Sequence, residues 1–207
     1  MPQLPCHYSY EIRSLRQAVF GTILAILYTT DQSCSFTCLF DPSCVPSPPE
    51  ATSNLPMPYR ICRLFEIENG HMLSKHPDKC QFPHGHSRKV ECVLEAPDLD
   101  DREMVCDFKV LKLILNDYLD RFDHAMCMNT DDPAYEEFKE RYGDRVIGYK
   151  SQDPTTEVLA RQFYDHLVRS LEAYRADGDE EFPLRDSVRV VSVKVWETSS
   201  SWAEYTG

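Results

Sequence analysis

Cys80 and the run His84-Gly85-His86 stand out in this 207-residue chain as residues whose types and spacing could do chemistry. The segment that follows, residues 88–95, is rich in valine and cysteine and reads as a strand. On a strand alternate side chains share a face, so His84 and His86 point the same way, while Gly85 leaves the backbone uncrowded. Two imidazoles so placed form half of a zinc site. The thiol of Cys80, four residues upstream and off the strand, can reach the same pocket without being a ligand. A His-x-His pair is equally at home in a core or on a surface, so its meaning depends on partners elsewhere.

His71 closes the first strand-like run, residues 59–67, in the context Glu68-Asn69-Gly70-His71. Antiparallel pairing of this run with 88–95 brings His71 beside His84 and His86. Three neutral imidazoles with an open fourth position describe a catalytic rather than a structural zinc. The alternative for His71 is a polar loop residue beside a glycine turn. Asp123-His124 follows residues 108–122, where Phe108, Val110, Leu111, Leu115, Leu119 and Phe122 recur at helical spacing. A carboxylate next to an imidazole fixes its tautomer or raises its basicity; otherwise His124 merely complements the helix dipole. Asp153-Pro154-Thr155-Thr156-Glu157 carries cap residues, proline and a first-turn acid, which start a second helix. Glu157 serves at least that helix dipole. In 187–197 alternation places Val191, Val193, Val195 and Glu197 on one face, so Glu197 sits at a sheet end in solvent or points into a pocket.

The elements that must position these groups are strands at 59–67, 87–95, 187–197 and 202–205 and helices at 107–122 and 155–174. They predict an α+β fold, a four-stranded antiparallel sheet with two helices on one face. Residues 175–183, with Asp177, Gly178, Asp179, Glu180 and Glu181, read as a solvated loop.

A net charge of −12 without a basic stripe excludes nucleic acid as a direct partner. Cys62, Cys80, Cys92, Cys106 and Cys127 lack the spacing of a disulfide framework. Cys62, Cys92 and Cys106 read as small buried thiols, which fits a reducing, cytoplasmic compartment. Residues 1–56 differ in kind, with seven of the fourteen prolines, Cys6, Cys34, Cys38 and Cys44, and only six charged side chains. The apolar stretch 18–28 is too short for the ~20 residues a bilayer span needs, although Arg13 and Arg16 before it give the outline of a signal-peptide core. We read 1–56 as a largely disordered extension, Met57 as the natural start and 57–207 as the domain.

Taken in order, these motifs resemble the 6-pyruvoyl-tetrahydropterin synthase / 6-carboxy-tetrahydropterin synthase family. The resemblance rests on the strand ending in His71, the Cys-x-x-x-His-Gly-His run, and Met104-Val105-Cys106-Asp107-Phe108 as a helix entry. It continues through Leu119-Asp120-Arg121-Phe122-Asp123-His124, Pro154-Thr155-Thr156-Glu157, and Glu197-Thr198 followed by Ala203 and Tyr205. The Cys80-to-His84 spacing resembles the carboxy branch of the queuosine route. The lead-in to His71 departs from the family pattern, and residues 129–153 are longer and more acidic than in short members.

The resemblance implies the tunnelling fold, with a barrel completed by oligomerisation, usually a homohexamer with sites at subunit interfaces. It implies Zn2+ on His71, His84 and His86, and 7,8-dihydroneopterin triphosphate as substrate. The carboxy branch forms 6-carboxy-5,6,7,8-tetrahydropterin, acetaldehyde and triphosphate. Cys80 is then the expected general base and Asp123-His124 the proton relay. Glu197, with Thr198 beside it, is expected to accept from the pterin N–H groups, and Thr156 and Glu157 to make outer contacts. The alternatives are a 6-pyruvoyl-tetrahydropterin synthase and a non-catalytic zinc- or pterin-binding homologue. No membrane partner is expected.

Overall fold

A computed structural model describes residues 57–207, and the expected extension 1–56 lies outside the described residues. Strands β1 (Tyr59–His71) and β2 (His84–Ala96) form an antiparallel hairpin paired from Tyr59↔Ala96 to His71↔His84. Both strands outrun their predicted ends, because the chain stays paired through Asn69↔His86 and Gly70↔Gly85 until the two histidines face each other. All three histidines are therefore strand residues.

Helix α1 (Phe108–Asp120) starts where Asp107 accepts a hydrogen bond from the Lys109 N–H. After it come β3 (Ala125–Asn129), α2 (Tyr135–Tyr142) and β4 (Val146–Tyr149). Thr155 caps α3 (Thr156–Asp177), which ends at left-handed Gly178, so the first residues of the predicted 175–183 loop are helical. Strands β5 (Arg189–Thr198) and β6 (Ser201–Tyr205) complete a six-stranded sheet of order β4-β3-β1-β2-β5-β6.

The sheet is thus larger than the predicted four strands, and it is mixed: β3 runs parallel to β1 and β4 parallel to β3. These added strands are five and four residues long and carry no clean alternation, which left them without a periodic signal. Residues 61, 65 and 67 of β1, the even residues 90–96 of β2, and Val193 and Val195 pack on the apolar stripes of α1 and α3. A bulge opposite Val93/Leu94 skips Val191, so Val190 rather than Val191 joins that core. The third helix, α2, lies on the opposite side of the sheet, packing Tyr135 and Phe138 on Met126 and Met128 while Cys127 between them faces the main core. Cys92, Cys106 and Cys127 are buried, but Cys62 is exposed, because even positions of β1 turn away from the helices. Among the described residues no helix is long and apolar enough to cross a membrane.

At the far end of the hairpin Arg60, Glu95 and Arg189 lie abreast on β1, β2 and β5. Glu95 accepts from Arg60 Nε at 2.7 Å and from Arg189 Nε at 2.8 Å. These bonds, chiefly that from Arg60, hold its carboxyl below the usual range. A depressed acid stabilises the fold above its unfolded pKa of ~4.3, and the gain is lost as pH falls through the lower folded value. Glu95→Gln should therefore cost about 1 kcal/mol at pH 7, modest because both arginines are largely solvated. In denaturant titrations the two proteins should converge as pH drops below ~4; a gap that persists there would refute the pairing as its source.

Candidate active site

The hairpin end gathers the chemistry. His71 is wholly buried, and its ring centre lies 4.4 Å from that of His84 and 5.2 Å from that of His86. Glu197, near the end of β5, closes the group: the ligand-capable atoms of His71, His84, His86 and Glu197 all lie within 4.8 Å of one another.

Two of the three rings have their tautomers set by backbone carbonyls. His71 Nδ1 donates to Pro154 O at 2.9 Å and His84 Nδ1 to Phe82 O at 2.8 Å, which turns both Nε2 lone pairs into the cluster. The Nε2 atom of His84 is buried without a hydrogen-bond partner, and that of His86 is buried with only the Glu197 carboxylate beside it. An orphaned buried acceptor among converging imidazoles is what a divalent ion would satisfy. Burial, reinforced by the Arg88 charge, lowers the pKa of His86 and so favours the neutral form that ligates. Three histidines fit a transition-metal ion, with Glu197 available as a fourth ligand.

Glu197 spans two environments. Its Oε1 lies 3.0 Å from His86 Nε2 and 3.5 Å from His71 Nε2, while its Oε2 accepts from Thr156 Oγ1 at 2.5 Å. The neighbouring His71 ring and then the bond from Thr156 draw its pKa down to about 2. Thr156 in turn accepts from Arg88 Nη1 at 3.0 Å.

Cys80 lies in the short 3-10 turn Lys79–Gln81 between the hairpin strands, half-buried and free. Its carbonyl accepts from Leu73 N at 2.9 Å, which closes the loop back onto the strand carrying His71. Asp153 braces the same loop, accepting from Ser74 Oγ, Lys75 N and Asn129 Nδ2 at 2.7–2.9 Å.

Asp123 and His124 dock as a unit on β1. Glu68 N donates to Asp123 Oδ1 at 2.7 Å, and His124 Nδ1 donates to Asp123 Oδ2 at 2.8 Å. These two bonds, the first more strongly, lower the pKa of Asp123. His124 takes a positive φ of 55° in the turn after α1 and stays largely exposed, its Nε2 turned from its carboxylate partner. It shares a shallow depression with Gly70, Gly85 and His86. Among the described residues no hydrogen bond links Cys80 to this pair.

The structure thus brings together His71, His84, His86, Glu197 and Thr156. It leaves Glu157 exposed at the rim of a separate concavity with Arg161 and Asp165. Thr198 is exposed at the end of β5, paired with Ser200 in the turn that follows. Sequence reading missed Arg88, although it continues the even-numbered face of His84 and His86. It also missed Asp153 as a brace and Asn69, whose Nδ2 donates to Phe122 O and Ala125 O at 3.0 and 3.1 Å. No local pattern distinguishes such groups, whose partners lie 17 to 79 residues away.

Residues 60–207 match the family model described as 6-pyruvoyl tetrahydropterin synthase. The chain is similar to a protein of Aquifex aeolicus named 6-carboxy-5,6,7,8-tetrahydropterin synthase, with 34% identity over 72% of this chain and 98% of the relative. A Rickettsia conorii protein of the same name is 28% identical over 70% of this chain and 98% of its own length. Among solved structures, an uncharacterized Wolinella succinogenes protein superposes with a TM-score of 0.58 at 21% identity, over 72% of this chain and 98% of that one. A Plasmodium vivax 6-pyruvoyltetrahydropterin synthase superposes with a TM-score of 0.52 at 17% identity, over 71% and 97%. At these identities the structural likeness speaks to the fold.

Proposed function

The chain belongs to the 6-pyruvoyl tetrahydropterin synthase family, and from that premise we propose that it is a zinc-dependent 6-carboxy-5,6,7,8-tetrahydropterin synthase. It converts 7,8-dihydroneopterin triphosphate to 6-carboxytetrahydropterin, acetaldehyde and triphosphate, a step of the queuosine route carried out in the cytoplasm. The observation that carries this reading is the convergence of three imidazoles, two of them tautomer-fixed, on one point beside a carboxylate. The carboxy product is favoured by the name its similar relatives carry.

In this proposal His71, His84 and His86 hold the metal, which when bound supplies Lewis-acid polarisation of side-chain oxygens. Cys80 removes a proton from the substrate side chain. The Asp123 carboxylate holds the His124 Nδ1 proton, so Nε2 is the atom that accepts or returns one. Glu197, ionised at neutral pH, accepts from the pterin amino and ring N–H groups, with Thr156 fixing its other oxygen. Neither Thr198 nor Glu157 joins this cluster within the subunit, although Thr198 directly follows Glu197 on β5.

Assembly into a homohexamer fits the strand edges at β4 and β6 and the exposed Leu64 and Trp202 on the side of the sheet away from α1 and α3. Mass spectrometry of products from 7,8-dihydroneopterin triphosphate, using the full chain and residues 57–207 in parallel, tests both function and boundary. Acetaldehyde in one-to-one yield with triphosphate from both proteins is expected. Triphosphate without acetaldehyde would assign the 6-pyruvoyl reaction instead, and no turnover would assign a non-catalytic homologue. Turnover by the full chain alone would make residues 1–56 part of the working enzyme.

A further inference from the structure

Cys80 sits in a stretch that joins β1 to β2 and belongs to neither. Residues 72–83 have little regular structure, with only the short 3-10 turn Lys79–Gln81 among them. A connection of this kind holds a side chain in place only where it is tied to the scaffold. The tie is Asp153, a carboxylate only 7% exposed. Its Oδ1 accepts from Ser74 Oγ at 2.7 Å and from Asn129 Nδ2 at 2.9 Å, and its Oδ2 accepts from Lys75 N at 2.8 Å. Three donors converging from two segments call for a group that only accepts. A buried charge is tolerated when it is bonded in this way, and two of its three donors belong to the loop. Cys80 is reached one step further on, because Leu73 N, next to Ser74, donates to Cys80 O at 2.9 Å.

The residue after Asp153 is engaged with the histidine cluster, since Pro154 O accepts from His71 Nδ1 at 2.9 Å. Adjacent residues thus hold a ring of that cluster and the loop that bears the thiol. Thr155 N donates to Asp153 O at 2.9 Å and Thr155 caps α3, so this backbone is fixed to the helix independently of the carboxylate. We propose that Asp153 is a positioning residue for the reaction: by holding Ser74 and Lys75 it sets Cys80 at a fixed place relative to His71. The inference rests on Cys80 serving as the base in the function proposed above. Proton removal is sensitive to where the base is held. The brace acts on rate rather than on metal or substrate affinity, because neither the imidazoles nor Glu197 is among the partners of the Asp153 side chain.

Asp153→Asn tests this in the full chain, because an amide cannot accept on both sides and must turn a donor toward Lys75 N or toward the Ser74 and Asn129 side chains. Zinc content by atomic absorption and KM should stay near wild type. The kcat should fall by about 10²-fold, the scale of a ~1 Å misplacement. Iodoacetamide labelling read by peptide mass spectrometry gives a measure independent of turnover. Cys80 should be alkylated about tenfold faster, the effect of one or two lost hydrogen bonds on loop opening. The exposed Cys62 should be unchanged and serves as the control. Ser74→Ala, which leaves the carboxylate and its charge in place, should move kcat and labelling in the same directions by less. A folded Asp153→Asn protein with wild-type kcat and wild-type Cys80 labelling overturns the proposal, as does a loss confined to zinc or KM. Should Asp153→Asn not fold, a Ser74→Ala protein indistinguishable from wild type overturns it alone. Cys80→Ala in parallel separates the two claims. Full activity there overturns Cys80 as the base and this inference with it, whereas lost activity there beside an indifferent Asp153→Asn protein overturns only the inference.

Discussion

Replacing His84 with alanine should abolish the zinc binding proposed for this site. The remaining imidazoles of His71 and His86 and the Glu197 carboxylate keep three donor atoms nearby, but the loss removes a ring whose Nε2 is buried and otherwise unsatisfied. Losing an outer-shell partner already costs 10–100-fold in metal affinity, so losing a ligand should cost more than ~100-fold. The fold should survive, because His84 lies at the end of a hairpin held by thirteen cross-strand pairs and is only partly buried. Atomic absorption on the purified protein, with circular dichroism as the folding control, measures both. Full zinc retention in folded His84→Ala would remove His84 from the ligand set.

Cys80→Ala separates three roles for the thiol. As general base, its loss should leave zinc content and assembly intact and lower the single-turnover rate by ~10²–10⁴, the range for acid–base catalysis. As a fourth zinc ligand, it would take metal and activity down together. As a small half-buried side chain, it would cost a little stability and almost no rate. The geometry favours the first. Cys80 is outside the cluster whose ligand atoms converge, its 3-10 turn is tied to the strand bearing His71, and its sulfur has no hydrogen-bond partner among the described residues. An active Cys80→Ala enzyme would take the base out of this mechanism.

Much of this was legible in the residues alone, because it depends on periodicity. Alternation along β2 put His84 and His86 on one face, and pairing of two strands brought His71 to them; the register His71↔His84 is the outcome of that pattern. The stripes of α1 and α3 and their caps Asp107 and Thr155 are equally local. The alternation that carried Glu197 onto the Val193–Val195 face also sent it into the histidine cluster. The same rule of two misassigned Val191, since a bulge shifts the period by one residue without a mark in the sequence. Cys62 was misread for want of knowing which set of β1 positions faces the helices.

Only the tertiary structure decided the rest. Strands β3 and β4 are too short to announce themselves and exist because β1 offers a free edge to pair with. The burial of Arg88, its link through Thr156 to Glu197, and the bracing of the Cys80 loop by Asp153 join residues 24 to 79 positions apart. The chain by itself determined which side chains could bind a metal, because that depends on residue type and short-range period. Which of them are oriented, by which carbonyl, and against which buried charge depends on contacts between distant segments, and those form only when the sheet and helices close on one another.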